Sequence, residues 1–243
     1  MKNLLRIGLV ALLLNACGEW QQWAEQVAGA TVTEADMARA LKEALMQGVQ
    51  KEVSRLTEEG GFYRQADVRI GFPPELQKAA RTLRQMGLGS LVDRAELKFN
   101  RAAEEAVREA TPIFMDAIRQ MTITDARNIL LGDSLAATAY LQAKTHDTLY
   151  RKFYPVVQKN MAAVGADKIY RDLVSRYNRI PFVKPVKTDL TDYITREALK
   201  GVYKKIGEEE VKIRTDVRER TTDLLRKVFA LQDRRNTPNG QSQ

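Results

Sequence analysis

Apolar residues open the chain as an unbroken run, Ile7 to Leu14, and then return only at helical intervals. Eight residues are too few to span a bilayer, which takes about 20 in a helix, but they suit the h-region of a secretory signal. Met37, Leu41, Leu45, Val49, Val53 and Leu56 follow at steps of four and three. This predicts an amphipathic helix with Thr33 as N-cap, Asp36 as its capping-box partner and Gly60-Gly61 at its close. Val68, Ile70 and Phe72 alternate with Arg69 and Gly71, the one convincing period-two stretch, and Pro73-Pro74 stops it and starts a helix. Leu76, Ala79, Ala80, Leu83 and Met86 carry that helix to Gly87-Leu88-Gly89. Ser90 is expected to cap the next, whose Ala95, Phe99, Ala102, Ala103 and Ala106 give a small-residue face suited to close helix packing.

Pro112 after Thr111 marks another start, and Thr124 reads as the cap of a short helix ended by Gly132. Ser134 then caps a long helix through Leu135, Thr138, Leu141, Thr145 and Leu149, which Pro155 should kink or break. The pattern stops at Gly165 and resumes at Ile169, Leu173, Val174 and Tyr177. Residues 178–188, with two prolines, read as a loop. Leu190, Tyr193, Ile194, Ala198, Val202 and Ile206 form a further helix, residues 207–220 a charged bend, and Leu224, Leu225, Val228 and Phe229 the last helix. The expected fold is all-α: a single multi-helix domain over residues 34–233 with at most one short extended segment, between a tether (17–33) and a polar, disordered tail (234–243).

Composition agrees and narrows the chemistry. Gly and Pro number only 14 and 7, which favours long helices over turn-rich β architecture. One Cys and one His exclude an intrachain disulfide framework, a structural Cys/His zinc site and a Cys–His nucleophile pair. No phosphate-loop, nucleophile-elbow, Ser-x-x-Lys or His-Glu-x-x-His motif is present, so no cofactor, metal or catalytic residue is assigned. The 39 Lys and Arg exceed the 31 Asp and Glu by 8. Cations alternate with anions through most of the chain, without a basic stretch carrying spaced aromatics, so nucleic acid is not expected as a partner. Anionic lipid headgroups or cell-wall polymers suit the basic excess better.

The start of the chain is an address. Lys2 and Arg6 precede the apolar run, and Leu14-Asn15-Ala16-Cys17 follows it. This resembles the bacterial lipoprotein signal, in which residues 1–16 are removed and Cys17 becomes the lipid attachment site, bearing palmitate-type acyl chains. The alternative is an ordinary secretory signal with an incidental Cys. Three acyl chains anchor stably where one is marginal. Gly18 after the Cys, by resemblance to enterobacterial sorting, favours the outer membrane with the body in the periplasm. Trp20 and Trp23 suit either the headgroup region or docking on the body.

Several stretches taken together carry a further resemblance. They include Ile70-Gly71-Phe72-Pro73-Pro74-Glu75-Leu76, Phe99-Asn100-Arg101-Ala102-Ala103-Glu104 and Asp125-Ala126-Arg127-Asn128-Ile129-Leu130-Leu131-Gly132. Later come Ala136-Ala137-Thr138-Ala139-Tyr140-Leu141, Ala198-Leu199-Lys200-Gly201-Val202-Tyr203 and Glu209-Glu210-Val211-Lys212-Ile213-Arg214. As a set they resemble the bacterial envelope family catalogued as the domain of unknown function numbered 4197. The resemblance implies an exported, mostly helical protein, often a lipoprotein, and implies no activity.

Six residues are candidates for ligand binding. Asn100, Arg101 and Glu104 share an alanine-rich helix and would either line a polar pocket or tie helices together. Asp125 lies in a helix first turn, where it complements the dipole. Thr138 and Arg220 offer a hydroxyl and a charge, with inter-helix bonds as the plainer role. His146 reads as solvent-facing, and Glu208-Glu209-Glu210 as part of the solvated bend. The leading expectation is a lipid-anchored protein binding a lipid, a cell-wall polymer or a protein partner. The alternatives are an envelope hydrolase or transferase using carboxylates such as Glu104 and Asp125, and a scaffold for partner proteins.

Overall fold

The structure is a computed structural model that describes residues 32–163, 165–179, 185 and 189–236. Cys17, Trp20, Trp23, most of the 178–188 loop and residues 237–243 lie outside this set. Helices α1 (Glu34–Thr57), α2 (Pro74–Leu83), α3 (Gly89–Val107), α4 (Ala110–Gln120) and α5 (Ile123–Leu131) come first. They are followed by α6 (Ala136–Ala163), α7 (Ala166–Asn178), α8 (Leu190–Thr215) and α9 (Asp223–Asn236). There is no strand among the described residues, and the fold is all-α. None of the described helices is long and apolar enough to cross a membrane.

The middle of the core is α6. Its buried Leu141, Thr145, Leu149, Phe153, Val157 and Met161 recur every fourth residue, a stripe that α8, α3, α4, α5 and α7 pack against. Each fully buried aliphatic or aromatic side chain of that stripe contributes about 1.5–3 kcal/mol. The small-residue face of α3 packs between α6 and α8, with Ala95, Ala102, Ala103 and Ala106 fully buried. On α8, Gly201 leaves room for the Phe62 ring: a Cβ there would stand 2.8 Å from Phe62 Cε1.

The predicted alternation at Val68, Ile70 and Phe72 is real, since all three are buried while Arg69 is exposed. The segment nevertheless belongs to no sheet. Gly60, at φ +85°, turns the chain out of α1. Phe72 then meets Phe99 of α3 edge to face at 5.2 Å.

Several boundaries differ from expectation, each for a local reason. Ser90 lies inside α3, because a π-helical turn (Arg84–Leu88) containing Gly87 at φ +81° joins α2 to α3 without a new cap. Helix α4 starts at Ala110, and Pro112 sits in its first turn, where a missing N–H costs nothing. The cap of α5 is Thr122 rather than Thr124, in a reciprocal capping box with Asp125. Pro155 neither breaks α6 nor ends it. It is exposed, so the carbonyl its ring leaves unpaired faces the solvent side. The largest departure is at residues 207–215, which continue α8 rather than forming a charged bend. Helix α9 runs to Asn236, into the segment expected as tail.

Candidate functional site

The buried polar residues fall into junctions that tie one segment to another. Asn100, fully buried on α3, takes the place of a neighbouring strand. The Ile70 amide donates to its Oδ1 at 2.8 Å, and its Nδ2 donates to the Ile70 carbonyl at 2.8 Å and to the Glu96 carbonyl at 2.7 Å. One turn later the Phe62 amide donates to Glu104 Oε1 at 3.2 Å, and Arg101 donates to Glu104 Oε2 at 3.2 Å and also pairs with Glu59. An extended segment with no sheet to join thus has its backbone groups met by side chains of α3, as buried polar groups require.

A second junction lies where α8 crosses the ends of α5 and α6. Glu210 accepts from the Ala137 amide at 2.9 Å, and from the Thr138 amide and hydroxyl at 2.8 Å each. A carboxylate from α8 therefore caps the positive end of α6. Arg214, one turn on, donates to Glu210 Oε1 through Nε at 3.0 Å and Nη2 at 2.9 Å, and its Nη2 reaches the Ile129 carbonyl at 2.9 Å. That carbonyl belongs to the negative end of α5, so a cation meets it. Arg220, also buried, donates to the Ile213 and Arg214 carbonyls at 3.0 and 2.9 Å, closing the end of α8 over the Phe229 ring.

Asp125 lies in a different setting. It lines an open cleft of about 400 Å³ between α4, the start of α5 and α6. Ile113, Asp116, Ala117 and Gln120 form one wall, and Tyr140, Lys144 and Thr148, at helical intervals of four, form the other. The Thr122 amide and then its hydroxyl hold the Asp125 carboxyl below its ordinary value, and the Lys144 charge adds to this. Asp116 pairs with Arg119 at 2.9 Å. Burial, followed by the Asp125 charge, pushes the Tyr140 hydroxyl up. The Lys144 ammonium stands 5.7 Å from the Tyr140 ring centroid. Thr145, at the cleft base, is bound to the Leu141 carbonyl at 2.6 Å and to the Tyr203 hydroxyl at 2.8 Å. By contrast the Gln120 amide and the Tyr140 and Thr148 hydroxyls have no hydrogen-bond partner among the described residues. Asp116 is paired and Asp125 is held by Thr122, so the cleft presents the Lys144 ammonium and neutral hydrogen-bonding groups beside an aromatic ring.

The six candidate residues therefore do not converge. Asn100, Arg101 and Glu104 meet at the α3 junction, Thr138 joins Glu210, Arg220 closes α8, and Asp125 faces the cleft. Sequence reasoning missed Glu210 and Arg214, assigning them to a solvated bend, although their spacing of four matched a continuing helix. It also missed Asp116, Gln120, Tyr140, Lys144 and Thr148, whose four-residue spacings on two helices were the available signal. His146 is partly exposed and stands beside Asp147 at 3.2 Å. No group of His, Cys, Asp and Glu among the described residues is arranged to hold a metal ion.

No curated protein matches the chain, and neither does any solved structure. The family described as "Protein of unknown function (DUF4197)" matches residues 31–230, nearly all of the helical body, and the chain belongs to that family.

Proposed function

We propose that this is an exported protein of the bacterial envelope, anchored through acyl chains on Cys17, whose helical body binds a hydroxyl-rich envelope component in the α4–α6 cleft. The glycan of a cell-wall polymer fits best. The carrying observation is the set of neutral groups in the cleft without a partner among the described residues: the Gln120 amide and the Tyr140 and Thr148 hydroxyls, beside the Tyr140 ring. A cleft of about 400 Å³ lies within the range of small-ligand sites. The lipoprotein-like signal supports the location, and facing the periplasm from the outer membrane is its natural form.

Binding is favoured over hydrolysis by the carboxylates. A general acid needs a raised pKa, whereas Asp125 is held below its ordinary value. Glu104 is buried against the Phe62 amide and is not part of the cleft. A scaffold reading draws on a second, more apolar groove of about 600 Å³ lined by Leu135, Tyr203, Gly207 and Val211.

The test is a calorimetric titration of the protein, with Cys17 replaced, against soluble disaccharide-peptide fragments of cell wall. Native and denatured masses are compared beforehand to find any co-purifying molecule. Saturable binding that falls at least about tenfold in Tyr140→Phe, the loss of one hydrogen bond to a buried ligand group, supports the reading. Equal binding by both proteins, or a stoichiometric lipid in the native mass, overturns the glycan assignment.

A further inference from the structure

The expected alternation of cations with anions, without a basic stretch, does not hold over residues 140–188, where positive charge is concentrated among several aromatic residues. Residues 140–188 hold ten Lys and Arg against three Asp and no Glu, a local excess of seven in a chain whose total is +8. Within this stretch, Arg151, Lys152 and Lys159 project from the second half of α6, off its buried stripe. Lys168, Arg171 and Arg176 project from α7, and Arg179 follows at its end. All seven are exposed, and none forms an ion pair or hydrogen bond among the described residues.

The contrast with α8 shows that this is not the chain's habit. There Arg196 pairs with Asp192, Lys200 with Glu197, Lys205 with Asp67 and Glu208, and Lys212 with Glu209. Paired surface charges largely cancel at a distance, whereas a cluster of one sign produces a field that attracts an opposite surface. On the second half of α6 and on α7 the acids are Asp167 and Asp172, so the seven cations keep an excess of five, and none of them is paired among the described residues.

We propose that the exposed basic face of α6 and α7 docks on an anionic phospholipid surface, through electrostatic contact with headgroup phosphates. The proposal rests on the export reading above, which brings the body beside membrane leaflets. The form of the face selects a surface over a strand. Nucleic-acid strands are held in charged grooves with free aromatic rings for stacking. Neither the α4–α6 cleft nor the groove beside Leu135 is lined by these cations. The neighbouring tyrosines are also engaged: the Tyr150 hydroxyl donates to Asp192 at 2.6 Å, the Tyr154 hydroxyl to Asp189 at 3.4 Å, and Tyr177 is buried. What remains is a set of exposed cations without partners among the described residues, which suits phosphate density without reading bases.

The test uses the mature chain, residues 17–243, with Cys17→Ser, so that neither the signal segment nor an acyl chain contributes to membrane affinity, and compares it with the same chain carrying Lys152→Gln, Lys159→Gln, Lys168→Gln and Arg171→Gln. Both are sedimented with vesicles of phosphatidylglycerol and phosphatidylethanolamine, and with vesicles of phosphatidylcholine alone. The unsubstituted face should bind the anionic vesicles, weakening as salt rises toward physiological strength. The four substitutions should lower that partitioning about 100-fold or more, at roughly fivefold per cation. They should leave the circular dichroism unchanged, because all four side chains are exposed. Equal binding to neutral vesicles, or undiminished binding by the substituted chain, overturns the proposal. Capture of polyphosphate or duplex DNA without any vesicle binding overturns it too, and reassigns the face to a soluble polyanion. The anchor reading is tested apart, since an unmodified Cys17 in the intact mass of membrane-extracted protein would defeat it whatever the vesicles show.

Discussion

Two polar regions of this molecule are built from similar residues and end in opposite states. At the crossing of α8 with α5 and α6, Glu210, Arg214 and Thr138 are buried, and each finds its partner: amides at one helix end, carbonyls at another, and one another. In the α4–α6 cleft, Asp125, Lys144, Tyr140, Gln120 and Thr148 are open to solvent, and several hydrogen-bonding groups have no partner among the described residues. A buried polar group must be satisfied by the fold itself, whereas an exposed one can wait for water or a ligand. Satisfaction, rather than polarity or residue type, separates the joint from the candidate site.

The comparison predicts different consequences when each is cut. Glu210→Ala should produce the largest loss. It strips the cap from α6 and leaves Arg214 buried without its carboxylate, a change that costs about 3–5 kcal/mol. For a body of this size that corresponds to a fall in melting temperature of roughly 10 °C, measurable by calorimetry. Loss of less than 1 kcal/mol would mean that water enters the junction readily and that it is not the closed joint described. Asn100→Ala comes next. It leaves the Ile70 amide and carbonyl unpaired beneath α3 and should cost about 1–3 kcal/mol. Hydrogen exchange should report it first at Ile70, where the side chain substitutes for a strand.

These same residues show why only part of the molecule was legible in the sequence. Helices such as α1 and α6 declare themselves through apolar residues every three or four positions, because their burial faces a continuous core. Their ends are less legible where the cap is not local. Ser134 was the natural cap for α6, yet the Ala137 and Thr138 amides of its first turn donate to Glu210, more than seventy residues further on. The expected charged bend began at Gly207, a residue that disfavours a helix interior. Here it stays helical because α8 passes close to the start of α6: a Cβ would stand 3.1 Å from Leu135 Cδ2. The cleft was half legible. Asp125 was visible as a helix first-turn acid, but its neighbours come from α4 and α6, and no local pattern announces that three helices will meet.

A smaller effect tests the exposed side of the comparison. Hydrogen bonding from the Lys205 ammonium, aided by Lys204, lowers the Asp67 carboxyl to about 2. Its pKa is depressed in the folded state, so its contribution to stability is present above its ordinary value near 4 and is lost as pH falls toward 2. Because Asp67 is 38% exposed, solvent screens that contribution and it should be modest. Asp67→Asn should therefore lower stability slightly at neutral pH. It should also flatten the fall in melting temperature between pH 4 and pH 2. An identical acid limb in both proteins would mean that the pair does not persist in solution.

The smallest stability effect is expected where the functional effect should be greatest. Tyr140→Phe removes a hydroxyl that has no partner among the described residues, so the fold should change by no more than about 0.5 kcal/mol, the usual range for a surface substitution free of special contacts. The ring stays, and with it the contact to the Lys144 ammonium. If the cleft is a ligand site, the same substitution should weaken glycan binding at least about tenfold, because a ligand hydroxyl would lose its partner in a partly enclosed setting. Such a split, with unchanged melting and lost affinity, is the reverse of what Glu210→Ala should show. If Tyr140→Phe instead lowered the melting temperature as Asn100→Ala should, the hydroxyl would be serving the fold. The cleft would then be a second joint, and the ligand would have to be sought elsewhere on the body.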